Sequence, residues 1–186
     1  MDEQQIIKSI DDFLKKIIYQ PVETVLFEDG VDAYIRRSAC LPGLYWDEDH
    51  FKGELGLEKL PRELELFWYR CSSLLLHFTY DKGFRIEGIY IYSPEQVLLK
   101  HKNYIKEITD DGIDFDFKKG DLLIGERIDI GEKNYVFMRC DKDDEDFGVV
   151  IVTLPEYLRN EGWVTSSSLM DFLETIYLSK GKYWKD

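Results

Sequence analysis

The stretch that decides the fold runs from Gly120 to Val152 and reads GDLLIGERIDIGEKNYVFMRCDKDDEDFGVVIV. It contains three runs rich in β-branched, aromatic and other apolar residues, at 120–126, 134–138 and 148–152. A glycine turn at 130–132 and an acidic segment at 141–146 separate the runs. Short apolar runs between turn signals are typical of consecutive antiparallel strands. We therefore expect three neighbouring strands here.

The two ends of the chain each predict a helix. Apolar side chains recur between Ile6 and Ile18 at spacings of three and four, which indicates an amphipathic helix that ends before Pro21. At the other end, serines at 166–168 precede an amphipathic segment through Tyr177. Hydroxyl side chains satisfy the free N–H groups of a first helical turn, so these serines fit a helix start.

Residues 22–56 are less regular. Residues 22–37 fit either a hairpin that turns at Asp29-Gly30 or a strand followed by a short helix. Residues 38–56 are expected to form an irregular connection.

The middle of the chain predicts two helices with a strand between them. Pro61 suits a first helical turn, and an apolar stripe extends that helix to about Leu76. The alternating segment 85–92 predicts a strand, and Ser93-Pro94-Glu95-Gln96 has the capping pattern of a helix that runs to about Ile108. The fold class expected is α+β, with helices gathered on one side of a mainly antiparallel central sheet of about five to six strands. Because no repeat or linker divides the chain, residues 1–186 are expected to form a single domain.

Net charge restricts the partners. Acidic residues outnumber basic ones by 37 to 24 among 186 residues, which gives a net charge of −13 and a pI near 4.7. Nucleic acid is a poor partner for such a surface, because phosphate binding needs clustered Lys and Arg. Anionic membrane is disfavoured for the same reason, whereas a basic protein remains compatible. No run of about 18 apolar residues is present and the N-terminus is acidic, so we expect a cytoplasmic protein.

The residues that usually carry chemistry are scattered. Cys40, Cys71 and Cys140 form no Cys-x-x-Cys pair and leave one over, which favours reduced, mostly buried thiols rather than a disulfide framework or a zinc site. The three histidines occur singly, and neither a nucleophile elbow nor a phosphate-binding loop is present. We therefore expect no catalytic residue, no metal and no cofactor.

Two clusters are candidates for binding a partner. The first is the acidic segment that contains Asp141, Asp143, Asp144, Glu145 and Asp146. It fits a solvated hairpin loop, or an edge that steers a basic protein, and it lacks the ligand spacing of a calcium loop.

The second cluster is Trp46, Asp47, Glu48 and Asp49. An aromatic residue beside acids matches the composition of interface hot spots, although a lone tryptophan in a loop more often packs on the core. The core role is slightly favoured.

The order of several segments resembles the SUKH superfamily, which includes yeast Smi/Knr regulators and bacterial toxin-immunity proteins. The resemblance is clearest over residues 52–178, and residues 1–51 form an N-terminal helix plus a variable segment. The chain departs from the family after the Leu-Pro helix, where Arg70-Cys71-Ser72-Ser73-Leu74 replaces a small Asn-Gly-Gly type turn. The matching segments are Leu55-Gly56-Leu57-Glu58-Lys59-Leu60-Pro61, Gly120–Gly125, Tyr135-Val136-Phe137, Phe147-Gly148-Val149-Val150, and Trp163 before Ser168–Glu174.

The resemblance implies helices packed against a central sheet and a protein-binding function. It suggests an immunity protein that binds and neutralises a cognate toxin of nuclease or deaminase type, and the acidic charge favours a basic toxin. The alternative is an intracellular regulatory scaffold that binds a signalling or cell-wall-related partner. A third possibility, a hydrolase that uses the carboxylates at 141–146, lacks a positioned base or metal set. A monomer or weak dimer is expected.

Overall fold

The computed structural model describes residues 2–26, 33–81, 84–110, 120–129, 132–153 and 164–180. The described helices are α1 (Glu3–Ile18), α2 (Glu48–Leu55), α3 (Arg62–Arg70), α4 (Pro94–Asp110) and α5 (Leu169–Leu178). The described strands are β1 (Glu23–Leu26), β2 (Ala33–Pro42), β3 (Cys71–Asp81), β4 (Phe84–Ile91), β5 (Asp121–Asp129), β6 (Glu132–Arg139), β7 (Val150–Thr153) and β8 (Val164–Ser166).

The strands form one antiparallel sheet in which spatial order follows chain order, β1 to β8. The α+β class is therefore confirmed, but the expected five to six strands is too few, because eight are present among the described residues. Strands β3 and β8 account for the difference. Trp163, which was placed just before the final helix, lies outside the described residues.

The predicted helix from Pro61 to about Leu76 is wrong beyond Arg70. Helix α3 ends there, and the chain continues directly as β3. Leu74 and Leu76 are both fully buried, and Leu75 between them is half-buried. A strand covered on both faces has a continuous apolar run, which by period alone cannot be distinguished from a buried helix.

The irregular connection expected at 38–56 is also wrong. Strand β2 extends to Pro42 and α2 occupies Glu48–Leu55, so only a short segment between them is irregular. Strands β1 and β2 pair antiparallel, which confirms the hairpin alternative, although its turn at Asp29-Gly30 lies outside the described residues.

Helices cover both faces of the sheet, not one. Helix α1 packs on β2, whose Arg36 is buried while Ile35 and Leu41 are exposed. Helix α4 lies on the opposite face, where the hydroxyl of Tyr90 donates to Gln96 Oε1 at 2.8 Å. Helices α3 and α5 pack against α1. Because α4 contacts mainly β5, the face of β2 opposite α1 stays open.

The strand registers bring one set of strand ends together. Pro42 lies opposite Cys71 and Ile91 lies opposite Gly125. Asp121 lies opposite Arg139 in the next pair. The segment containing α2 and the loop between β6 and β7 therefore both leave the sheet at this end, which we call the α2 end.

Half-buried His101 of α4 predicts a pH dependence of stability. The backbone N–H of Leu123 donates to His101 Nδ1 at 3.2 Å, and burial lowers the pKa of His101 to about 4. The folded protein thus binds fewer protons than the unfolded chain below pH 6.5, so stability is lost as pH falls from 6.5 towards 4. The His101→Gln variant should lack this pH-dependent part of the free energy of unfolding, which amounts to at most about 3 kcal/mol.

Urea unfolding at pH 7.5, 5.5 and 4.5 measures the effect. His50→Gln, at an exposed position on α2, is the matched control. A wild-type stability that falls with pH in parallel with that of His101→Gln would contradict the assignment.

Candidate functional site

The acidic segment forms an ordered loop between β6 and β7 at the α2 end. Asp141 Oδ1 accepts a hydrogen bond from the Asp143 N–H at 3.1 Å, and Asp144 Oδ1 accepts from the Asp146 N–H at 3.0 Å. Backbone bonds from Asp144 N–H to the Asp141 carbonyl and from Phe147 N–H to the Asp144 carbonyl close two successive turns. Such local bonds by aspartate side chains stabilise turns. The carboxylates are therefore held in a defined arrangement.

Ion pairs join this loop to the sheet and to the segment after α2. Arg139, at the end of β6, pairs with Asp146. Lys142 lies 3.2 Å from both Asp143 and Glu58, and these two carboxylates raise its pKa. Because Lys142 and Glu58 are solvent-exposed, the contact positions the loop more than it stabilises the fold.

A shallow groove of about 140 Å³ separates the acidic loop from the segment after α2. Its lining residues are Gly56, Leu57, Glu58, Gly120, Cys140, Asp141, Lys142 and Asp143.

The second predicted cluster begins α2, and its three acids have different roles. Asp47 is the N-cap residue and accepts a hydrogen bond from the His50 N–H at 2.9 Å. Glu48 lies 2.8 Å from Lys52, which lowers the pKa of Glu48 and keeps it charged. Asp49 has a side chain that is 97% exposed, so its charge faces solvent.

The two predicted clusters lie at opposite ends of α2. An eight-residue helix is about 12 Å long, which sets the scale of their separation. Glu54, which pairs with Lys102, and Glu58 lie along the connection between them. We call this set of carboxylates the acidic ridge; its members are Asp47, Glu48, Asp49, Glu54, Glu58, Asp141, Asp143, Asp144, Glu145 and Asp146.

Trp46 has the core role that the sequence slightly favoured. It is only 8% exposed, and its ring meets those of Phe51 and Trp68 edge-on, each with centroids 5.3 Å apart. Its ring is therefore not available as a docking anchor. The neighbouring residues are available: Tyr45 is 90% exposed and Leu44 is 66% exposed.

Gly43 explains why these two side chains project outward. The Gly43 N–H donates to the Arg70 carbonyl at 3.0 Å, which ties this segment to the end of α3. A Cβ atom at Gly43 would lie 1.9 Å from the Tyr69 carbonyl oxygen, so only glycine fits. Leu44 was missed by sequence reasoning because a single leucine in a connection carries no periodic signal.

Neither protein-family models nor curated proteins give a match to the chain. In the part of the chain that the structure describes, no three His, Cys, Asp or Glu side chains are grouped so as to hold a metal ion. Among the same residues, no helix has the length and apolar character needed to span a membrane.

Adjacent aromatic residues at 45 and 46 provide a matched test of the site. Trp46→Ala should lower the free energy of unfolding by about 3–5 kcal/mol, because it removes a buried ring from the aromatic cluster. Tyr45→Ala should change it by less than about 0.5 kcal/mol, because Tyr45 faces solvent. Denaturant unfolding of both variants checks this, and equal losses would mean that the two residues are wrongly assigned.

Proposed function

We propose that this protein is a non-enzymatic binding domain of the toxin-immunity type, which neutralises a basic toxin domain by covering it. The observation that carries the proposal is the acidic ridge. Its carboxylates are spread over α2, the connection to α3 and the β6–β7 loop, and these three segments leave the sheet at one end.

The charges of the ridge are only partly compensated. Four cations, Lys52, Lys102, Lys142 and Arg139, pair with some of its ten carboxylates. Asp49 and Asp143 are among the paired acids, yet their side chains are 97% and 80% exposed. A surface of one sign attracts a partner of the opposite sign and raises its association rate. A basic toxin that acts on nucleic acid needs its cationic surface to hold phosphates. A bound acidic ridge would occupy that surface without any chemical step.

The exposed residues beside the ridge supply a different kind of contact. Tyr45 lies two residues before Asp47, the first residue of the ridge along the chain. An exposed tyrosine offers a large contact area at low entropic cost. In this proposal the ridge governs the encounter with the partner and Tyr45 slows its dissociation.

Neutralising the loop should slow association. The combined variant Asp143→Asn, Asp144→Asn and Glu145→Gln is expected to lower the association rate with the basic partner about tenfold at low salt, with a shallower salt dependence. The amide oxygen at position 144 can still accept the Asp146 N–H bond, so the turn should persist. Stopped-flow or surface-based kinetics at several salt concentrations measure the effect.

A charge-matched control is available away from the ridge. Asp12→Asn, Glu23→Gln and Glu174→Gln change the net charge by the same amount on α1, β1 and α5. This control should associate nearly as fast as wild type. If the association rate falls by the same factor in both triple variants, net charge rather than the ridge governs association.

The function itself is tested by capture followed by inhibition. The tagged wild type and both triple variants are used as baits at low and high salt, and the captured proteins are identified by mass spectrometry. A protein recovered by the wild type and the control, but not by the ridge variant, is then purified and assayed with and without the domain. Stoichiometric loss of its nuclease or deaminase activity, or of its toxicity in cells, is the expected result.

Two outcomes would contradict the proposal. One is a captured partner that stays fully active when bound, which favours the regulatory-scaffold alternative. The other is a partner that binds wild type and ridge variant equally, which places the interface elsewhere.

A further inference from the structure

Two of the three cysteines lie on neighbouring strands and face the same side of the sheet. Cys40 of β2 lies opposite Leu74 of β3, and Pro42, two residues later, lies opposite Cys71. The register shifts between Leu41 and Pro42, so that Ser72 has no partner in the ladder. Without this bulge Ser72 would occupy the position opposite Pro42, and Cys71 would face the other side. The bulge therefore turns Cys71 towards Cys40.

The two thiols interact and differ in accessibility. Cys71 is fully buried in the core, and the partly buried Cys40 packs against that core. The Cys71 thiol donates to the Ser73 carbonyl oxygen at 3.1 Å, and Cys71 lies diagonally across from Cys40 on the neighbouring strand. Both cysteines are free thiols in the structure.

The environment activates only one of these thiols. A hydrogen bond from the Cys71 thiol lowers the pKa of Cys40 to about 7, against the opposing effect of burial. The same interaction, together with burial, raises the pKa of Cys71 well above its ordinary value. Near neutral pH a substantial fraction of Cys40 is thus thiolate, which is the nucleophilic form, whereas Cys71 remains a protonated thiol.

We propose that Cys40 and Cys71 form a redox-active pair, in which accessible Cys40 reacts with a peroxide and buried Cys71 resolves the product into an intramolecular disulfide. The pair lies at the same end of the sheet as the acidic ridge but shares no residue with it, and the proposal does not depend on the proposed toxin-binding function.

The proposed steps balance with hydrogen peroxide as the oxidant. The Cys40 thiolate attacks one peroxide oxygen, the O–O bond breaks, and the departing hydroxide takes up a proton to become water, which leaves a sulfenic acid on Cys40. The Cys71 sulfur then attacks the Cys40 sulfur, the S–O bond breaks, and the sulfenic hydroxyl leaves as a second water with the Cys71 proton. Two thiols are oxidised and one peroxide is reduced to two waters. A dithiol reductant should restore both thiols.

Peroxide treatment of the folded wild type tests the proposal. The expected product is a monomer that has lost two hydrogen atoms, and peptide mapping should link the peptide of Cys40 to that of Cys71. In Cys71→Ser the reaction should stop at a Cys40 sulfenic acid, which a cyclic-diketone probe traps. Cys40→Ser should form neither product. Cys140 is the internal control, because it is a buried thiol whose pKa is raised by burial, and it should stay unmodified.

Three results would overturn the proposal, and all three are measured on the wild type. They are a wild-type Cys40 that stays as sulfenic acid or is oxidised further without forming the link, a product linked between two chains, and a Cys40 that reacts no faster than Cys140. The linkage map of the wild type decides the question even if a variant fails to fold.

The role of Cys71 as hydrogen-bond donor has its own readout. The rate of Cys40 alkylation by iodoacetamide should rise with pH through a midpoint near 7 in the wild type. Cys71→Ala removes the donor, so the midpoint should move up towards an ordinary thiol value and the rate at pH 7 should fall about threefold. Cys71→Ser keeps a donor and should stay close to wild type. If all three proteins share one pH profile, Cys71 does not activate Cys40.

Discussion

The packing of Trp68 is the constraint on which the α2 end of the molecule depends. Its ring is fully buried in the last turn of α3, and its indole N–H donates to the Tyr92 carbonyl at 3.0 Å. Trp46 and Phe51 meet it edge-on from the segment containing α2. Aromatic pairs of this kind contribute about 0.5–1.5 kcal/mol beyond the burial of their area. One side chain thus joins α2, α3 and the exit of β4.

A rigid aromatic layer of this kind allows like charges to accumulate above it. Clustered carboxylates repel one another and oppose compactness, and a short helix such as α2 has little stability of its own. Phe51 fixes the buried side of α2, so its acids can face solvent without releasing the helix from the sheet. In the β6–β7 loop, local contacts oppose the repulsion between carboxylates. Asp141 and Asp144 accept hydrogen bonds from backbone N–H groups, and Arg139 pairs with Asp146. The ridge therefore keeps its charge and its shape, as binding a basic partner requires.

The sequence predicted those parts of the fold whose residues have a clear period or lie between clear turn signals. Helix α1, strands β4 to β7 and helices α4 and α5 have a clear period or a clear turn signal, and the structure has each of them near the expected residues. Strand β3 was taken for helix because Leu74, Leu75 and Leu76 form an unbroken apolar run. Part of β2 was missed for the opposite reason: Ile35, Ala39 and Leu41 lie on an open face, so apolar residues occur where a sheet pattern would place polar ones.

At the candidate site, the acidic residues could be found from composition. That Trp46 is buried while Tyr45 is exposed depends on the tertiary contact of Gly43 with the end of α3.

The pair of Cys40 and Cys71 shows most clearly what residue spacing cannot provide. The two cysteines form no motif, and an odd number of thiols argues against disulfides in general. Their relation arises from one skipped residue, Ser72, which moves Cys71 to the other face of β3. A one-residue change of register reverses the direction of every following side chain, so a bulge next to a cysteine determines whether its sulfur meets another or points away. This bulge lies at the start of β3, directly after α3 and close in sequence to Trp68. The backbone feature that turns Cys71 towards Cys40 therefore lies four residues beyond the ring that anchors the aromatic layer.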